Sequence, residues 1–123
     1  MILNHLNLTV VSPEETSAFL AKYFDLQRGG GNAGMQLLHD DHGMVLTLIK
    51  ARADDRDQGP ESGQVKYPSS FHIGFIQANR QRVDEINARL AADGYQVQPP
   101  SIQHGSYTFY FTAPGGFTIE VMG

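Results

Sequence analysis

The sequence contains no cysteine, no cluster of positive charge and no long apolar run, and each absence excludes a class of protein. Without cysteine, disulfides, thiolate nucleophiles and thiolate metal ligands are excluded. The nine lysine and arginine residues are scattered and the net charge is -4, so the basic surface that binds nucleic acid is missing. No stretch approaches the length of a membrane span, and the N-terminus has no basic segment or long apolar run. We therefore expect a cytoplasmic protein whose partners are neither nucleic acids nor membranes.

The length of 123 residues suits one domain with a core of its own. In the first half, an alternating apolar pattern predicts a strand at 2–10. A helix from Pro13 to about Asp25 follows. Ser12 is a suitable cap for this helix, and Glu15 completes a capping box.

The second half repeats this order of elements. A strand predicted at 70–77 precedes a helix that Asn79 caps. The residues between the two halves are polar and rich in glycine and proline, which is typical of a solvent-exposed connection. We predict module one at residues 1–50, a linker at 51–69 and module two at residues 70–123.

Several shorter segments complete the prediction. The glycine run at 29–31 is interpreted as a plain loop, because a phosphate-binding loop would lead from a strand into a helix. Strands are predicted at 44–49, around 95–97, at 106–112 and at 117–122.

The last predicted strand, 117–122, holds a carboxylate in an unusual place. Glu120 lies mid-strand on the face opposite the apolar residues, although acidic residues are depleted in strands and an unpaired buried charge is costly. His5 and His72 occupy the corresponding polar faces of the two strands that precede the helices. Two histidines and one carboxylate on three strands form a candidate metal site with open positions.

The repeat can be tested by aligning the two halves. Residues 3–7 aligned with residues 70–74 superpose His5 and His72. The closing hairpins, aligned in the same way, superpose Thr47 and Glu120. A fold of two related modules would offer four inward positions, of which three can bind a metal and the fourth, Thr47, is a neutral hydroxyl.

The ordered set of motifs resembles the vicinal oxygen chelate superfamily, which includes glyoxalase I, bleomycin-resistance proteins and extradiol dioxygenases. The resemblance covers nearly the whole chain. It rests on the first strand with His5, on residues 71–75 around His72, and on residues 109–120. That last run is similar to the aromatic strand, Pro-x-Gly turn and terminal glutamate of the superfamily, although Ala113 stands where aspartate is common.

The resemblance implies an α+β fold of paired βαβββ modules that form a curled mixed-sheet cup, as in the glyoxalase, bleomycin-resistance and dihydroxybiphenyl dioxygenase proteins. It also implies a homodimer and a divalent metal, which could be Fe, Mn, Zn or Ni, bound by His5, His72 and Glu120. The implied function is a glyoxalase-like lyase or a dioxygenase acting on a small molecule chelated through neighbouring oxygens. A true glyoxalase I is not expected, because Thr47 replaces the carboxylate that would be the fourth ligand.

Other polar residues are candidates for contact with substrate. Tyr110 is the candidate acid or base, because its spacing to Glu120 is similar to that of the catalytic tyrosine of extradiol dioxygenases. Thr47 and His104 are candidates for substrate binding. Each has a structural alternative: the strand histidines as hydrogen-bonded structural residues, Thr47 and Tyr110 as packing residues, and His104 as a surface residue. The alternative function is metal-free sequestration of a small molecule, as in bleomycin-resistance proteins.

Overall fold

The computed structural model of the protein describes residues 1–56 and 64–123. The chain divides into two compact units. Unit 1 comprises Met1–Tyr67 with Pro114–Gly116, and unit 2 comprises Pro68–Ala113 with Phe117–Gly123. Within the predicted linker, residues 51–56 and 64–67 belong to unit 1, whereas its centre at 57–63 lies outside the described residues. In the described part of the chain, no helix is both long and apolar enough to cross a membrane.

Unit 1 contains one helix and a four-stranded sheet. The elements are β1 (His5–Val10), α1 (Pro13–Phe24), β2 (Gln27–Asn32), β3 (Met35–His39) and β4 (Val45–Lys50), followed by a short 3-10 helix (Ala53–Asp55). The strand order is β1-β4-β3-β2. β1 runs parallel to β4, and the other neighbours are antiparallel.

Unit 2 repeats this architecture. The elements are β5 (His72–Ile76), α2 (Arg80–Ala92), β6 (Ser101–Gln103), β7 (Ser106–Thr112) and β8 (Thr118–Met122). The strand order is β5-β8-β7-β6, with β5 parallel to β8 and the other neighbours antiparallel. Each unit is therefore a βαβββ module, which confirms the predicted α+β class and its repeated module.

Each helix covers one face of its own sheet and leaves the other face available for a site. α1 packs on β3 and β4 and α2 packs on β7 and β8, because each helix carries an apolar stripe at helical spacing. The buried helix residues are Phe19, Leu20 and Tyr23 in α1 and Val83, Ile86 and Leu90 in α2. Burial of each such side chain stabilises the fold by about 1.5–3 kcal/mol.

The two helices begin where the caps predict. The Ser12 hydroxyl accepts a hydrogen bond from the Glu15 backbone N–H at 3.2 Å, and the Asn79 side chain accepts one from the Arg82 backbone N–H at 2.9 Å. These bonds satisfy N–H groups that have no partner inside the helix.

The prediction of a loop at residues 29–31 was wrong, because all three glycines belong to β2. A Cβ atom on Gly31 would collide with the Met35 carbonyl oxygen, and the φ angle of Gly31 is 144°. Glycine therefore allows β2 to approach β3 closely, around a register shift between Arg28 and Gly30.

Two other strand predictions also differ from the structure. Residues 95–97 are not in a strand, and the pairing begins instead at Ser101 in β6. The Tyr95 N–H donates instead to the Leu90 carbonyl oxygen at the end of α2, and Pro99 and Pro100 have no N–H to donate to a neighbouring strand. The first strand was predicted to begin at Ile2, but β1 begins at His5, so the apolar side chains of Ile2 and Leu3 precede the strand and are exposed.

Candidate functional site

One face of the sheet in unit 2 carries a cluster of polar side chains on three adjacent strands. Glu120 of β8 lies opposite Gly74 of β5 on one side and opposite Tyr110 of β7 on the other. His72 precedes Gly74 by two residues and therefore points to the same face. Residues directly opposite in paired strands also share a face. The alternation of the three strands thus brings together His72, Tyr110 and Glu120.

The two carboxylate oxygens of Glu120 have different surroundings. Oε1 accepts a hydrogen bond from the Tyr110 hydroxyl at 2.8 Å and another from the Thr108 hydroxyl at 3.1 Å. Oε2 faces His72 Nε2 at 3.4 Å. The Glu120 side chain is only 15% exposed, whereas that of His72 is 42% exposed, so the imidazole forms the open side of the pair.

The second ring nitrogen of His72 determines what Nε2 can do. Nδ1 lies 3.0 Å from the Ser70 carbonyl oxygen, and a carbonyl oxygen can only accept. Nδ1 therefore carries a proton, and Nε2 of the neutral ring has a lone pair directed at Glu120. A lone pair facing a carboxylate oxygen is repulsive, so a positive charge, either a proton or a metal ion, belongs between these two atoms.

Tyr110 is a hydrogen-bond donor in this cluster. Its ring edge meets the His72 ring at a centroid distance of 5.6 Å and an angle of 83°. The hydrogen bond to Glu120, with some loss of solvation and the nearby negative charge, raises the pKa of the Tyr110 hydroxyl above its ordinary value. The phenol is therefore protonated at neutral pH, in the form that donates to a charged oxygen rather than the form that acts as a base.

Unit 1 places the other two predicted positions at the same points of its own repeat. His5 lies opposite Val45 just as His72 lies opposite Thr118. Thr47 occupies the position in β4 that Glu120 occupies in β8. The residues that were aligned between the two halves of the sequence therefore occupy equivalent positions in the strand pairing of the two units.

His5 has the same kind of hydrogen bond as His72. Its Nδ1 lies 2.7 Å from the Asn4 side-chain oxygen, which as an amide oxygen accepts the ring proton and leaves Nε2 with a lone pair. A histidine that binds a metal through one ring nitrogen usually donates the proton of its other ring nitrogen to an oxygen. Within neither unit do the described residues bring three histidine or acidic side chains close enough to hold a metal ion.

His104 and Thr108 complete the comparison with the sequence. His104 lies in the exposed turn between β6 and β7 with a φ of 51°, and its contact with a substrate stays a prediction. Thr108 was not assigned a role from the sequence. The signal that identifies it is the alternation of β7, which puts Thr108 on the same face as Tyr110 and Glu120.

The chemistry and spacing of His72 and Glu120 fit a divalent metal. An imidazole nitrogen and a carboxylate oxygen are ligands for zinc, iron, manganese and nickel. Two ligand atoms that bind zinc tetrahedrally at about 2.0–2.1 Å are about 3.3–3.4 Å apart. The separation of Nε2 and Oε2 is 3.4 Å, so these two atoms could bind one ion without rearrangement.

Comparisons with known proteins agree with this architecture. The profile of the Glyoxalase/Bleomycin resistance protein/Dioxygenase superfamily matches residues 2–121. The structure of a possible glyoxalase from Bacillus cereus is 44% identical, with a TM-score of 0.86 over 100% of this chain and 99% of that chain. A comparison with curated protein sequences gives no match.

More distant structures share the fold. A lactoylglutathione lyase from Agrobacterium tumefaciens is 23% identical, with a TM-score of 0.74 over 98% of this chain and 92% of that chain. The oxidase ChaP-H2 is 19% identical, with a TM-score of 0.73 over 99% of this chain and 92% of that chain. These names belong to proteins with different reactions, so the shared fold leaves the reaction to be argued from the site.

Proposed function

Because the chain belongs to the Glyoxalase/Bleomycin resistance protein/Dioxygenase superfamily, we propose that it is a metal-dependent enzyme of the vicinal oxygen chelate type. The proposed substrate is a small molecule that binds through two neighbouring oxygens. The observation that carries the proposal is the pair His72 and Glu120. The Nε2 lone pair and the carboxylate oxygen converge at 3.4 Å, and the second ring nitrogen is held by a carbonyl oxygen.

The proposed ligands are His72, Glu120 and His5. The role of His5 rests on the sequence resemblance, on its equivalent strand position and on its own Nδ1 hydrogen bond. A bound divalent ion would act as a Lewis acid on substrate oxygens. Three protein ligands would leave positions open for such a substrate.

The remaining polar residues of the site would handle protons and orientation. The Tyr110 hydroxyl donates its one proton to Glu120, so its oxygen would accept a hydrogen bond from a hydroxyl group of the substrate. Thr47 and His104 are the proposed substrate contacts. Because Thr47 is a neutral hydroxyl where glyoxalase I resemblance calls for a carboxylate, the proposed reaction is a lyase or dioxygenase reaction other than that of glyoxalase I.

A second candidate function is metal-free binding of a small molecule. The observation that favours it is that Glu120 is already satisfied by protein groups. Tyr110 and Thr108 donate to Oε1, and a protonated His72 would form an ion pair with Oε2. In that case the polar face would bind a ligand by hydrogen bonds alone.

Metal content distinguishes the two functions. We expect purified protein, loaded with Zn, Mn, Ni or Fe(II) and then freed of excess metal, to retain about one ion per chain. His5→Ala, His72→Ala and Glu120→Ala should each weaken binding by at least tenfold, because each removes one of three ligands. Elemental analysis and calorimetric titration are the measurements.

The matched control is His42→Ala, which removes an exposed histidine from the turn between β3 and β4. This variant should bind metal as the wild type does. Wild-type protein that takes up none of the four metals would contradict the enzyme proposal and support the metal-free function.

A further inference from the structure

Thr108 lies under the carboxylate of Glu120, on the same face of the sheet in unit 2. We propose that Thr108 is a positioning residue: its hydroxyl, with that of Tyr110, holds Oε1 of Glu120, so that Oε2 alone is presented to a metal ion beside His72. This inference rests on the proposed function, and it goes further by assigning one carboxylate oxygen to the protein and the other to the ion.

The Thr108 hydroxyl has two acceptors for its single proton. Oγ1 lies 3.1 Å from Glu120 Oε1 and 2.9 Å from the Val121 carbonyl oxygen, and neither an ionised carboxylate nor a carbonyl can donate in return. A hydrogen bond to a charged oxygen is about twice as strong as one between neutral groups. The proton is therefore directed to Oε1 whenever Glu120 carries its charge.

Burial protects the hydrogen bond between Thr108 and Glu120 from competition with water. Thr108 is fully buried, so no water competes for its hydroxyl, whereas the His72 side of the carboxylate is open. With Oε1 bonded to both Thr108 and Tyr110, rotation of the carboxylate would break two hydrogen bonds. The side chain is thus fixed in the orientation that keeps Oε2 directed at His72.

The repeat offers an internal comparison. In unit 1, the position equivalent to Thr108 is Met35, because Met35 lies opposite Ile49 as Thr108 lies opposite Met122. The position equivalent to Glu120 is Thr47. The hydroxyl donor in the third strand is therefore present in the unit that has a carboxylate and absent from the unit that lacks one.

The test removes the hydroxyl and keeps its shape. Thr108→Val should weaken the binding of Zn or Mn about tenfold in calorimetric titration, since partners that orient a metal ligand typically contribute 10- to 100-fold in affinity. Thr108→Ser restores the donor and should bind within about threefold of the wild type. With Co(II) as a spectroscopic probe, Thr108→Val should change the visible absorption of the bound ion, whereas Thr108→Ser should preserve it.

The control is Thr112→Val, the same change on the same face of β7 at an exposed position. It should leave metal affinity and the Co(II) spectrum unchanged. If Thr108→Val fails to fold, Thr108→Ala compared with Thr108→Ser measures the same loss of a hydroxyl, and melting curves of all variants identify the folded ones.

Three outcomes decide the matter. Weaker metal binding in folded Thr108→Val with recovery in Thr108→Ser supports the inference. Equal metal affinity in wild type and folded Thr108→Val overturns it and leaves the proposed function intact, because Thr108 would then only tie β7 to the Val121 carbonyl. Wild-type protein that binds none of Zn, Mn, Ni, Fe(II) and Co(II) overturns both.

Discussion

A largely buried carboxylate such as Glu120 requires hydrogen bonds, because removal of charge from water costs several kcal/mol when it is left unpaired. Both donors to Oε1 are neutral hydroxyls, which satisfy the oxygen without cancelling its charge. A lysine or arginine in place of Tyr110 would neutralise the carboxylate and compete with a metal ion. The residue types around Glu120 therefore preserve its capacity to bind a cation.

A second tyrosine of β7, Tyr107, also donates to a carboxylate, but this contact joins the sheet to helix α2. The Tyr107 hydroxyl donates to Asp84 of α2 at 2.5 Å, and the Arg80 guanidinium lies 5.2 Å from its ring centroid. The hydrogen bond to Asp84, with some loss of solvation and the negative charge of that group, raises the pKa of Tyr107. Here the pair links the helix to the sheet on the side away from the polar face.

The change Asp84→Asn tests this link. A raised pKa means that the protonated phenol is the form that the folded state favours, so its stabilising effect is present below a pH of roughly 10 and is lost as the pH rises further. Removal of the Asp84 charge should lower the pKa of Tyr107. Carbon-13 NMR of labelled tyrosine rings, followed from pH 7 to 12, is the measurement.

Glu85→Gln is the matched control for that titration. Glu85 is the neighbouring acidic residue of α2, and its carboxylate contacts Gln81 and Arg82 rather than Tyr107. This variant should leave the titration of Tyr107 unchanged. An unaltered Tyr107 titration in Asp84→Asn would show that the carboxylate does not act on the phenol.

At the scale of elements, the sequence predicted the helix starts and the face on which Glu120 lies, because both depend on residues that are close in the chain. Ser12 and Asn79 identified the starts of both helices, because a side-chain oxygen at the cap satisfies free N–H groups whatever the tertiary structure. The apolar alternation of 117–122 placed Glu120 on the correct face, because the period of a strand is fixed by its backbone.

Pairing between strands determined what the sequence did not predict. Residues 29–31 have no side chains that favour a strand, and they belong to one because β3 pairs with them. The contact between Thr108 and Glu120 depends on the register of β7 against β8, which was not predicted. Whether His5 binds the same ion as His72 and Glu120 stays a prediction for the same reason, since it depends on tertiary structure rather than on local pattern.

One side chain of α1 offers a test of helix packing. Among the described residues, the Ser17 hydroxyl is the buried side-chain polar group without a hydrogen-bond partner. Ser17→Ala removes an unsatisfied group and adds helix propensity, so it should stabilise the fold by about 1 kcal/mol. Urea unfolding is the measurement.

Ser12→Ala is the control for the same helix, and its expected effect on stability has the opposite sign. It removes the cap of α1 and should destabilise the fold by about 1 kcal/mol. A destabilised Ser17→Ala variant would contradict the expectation and show that the hydroxyl contributes favourably.

At the scale of the whole chain, the two modules keep one architecture but have different polar content. The strand positions equivalent to Thr108, Tyr110 and Glu120 are occupied in unit 1 by Met35, Leu37 and Thr47. At these positions only unit 2 has a carboxylate, and the residue that the two units share is the histidine of the first strand, His5 in unit 1 and His72 in unit 2. The cluster of His72, Tyr110 and Glu120 is therefore a feature of unit 2 and not of the repeated architecture.

Exposed apolar side chains lead to the prediction about assembly. Met1, Ile2 and Leu3 precede β1, and all three apolar side chains are exposed. Burial of each such side chain would contribute about 1.5–3 kcal/mol, which favours association. Because a homodimer is also what the resemblance implies, we expect the protein to be a dimer in solution, with this segment in the interface.

The double variant Ile2→Asp with Leu3→Asp should shift the protein towards monomer, because it would place two negative charges in an apolar interface. The matched control, Ile2→Val with Leu3→Val, keeps apolar side chains and should remain a dimer. Light scattering coupled to size-exclusion chromatography, over a hundredfold range of concentration, measures the mass of each. A wild-type monomer throughout that range would contradict the prediction of a dimer, whereas a dimer that survives the aspartate changes would exclude residues 2 and 3 from the interface.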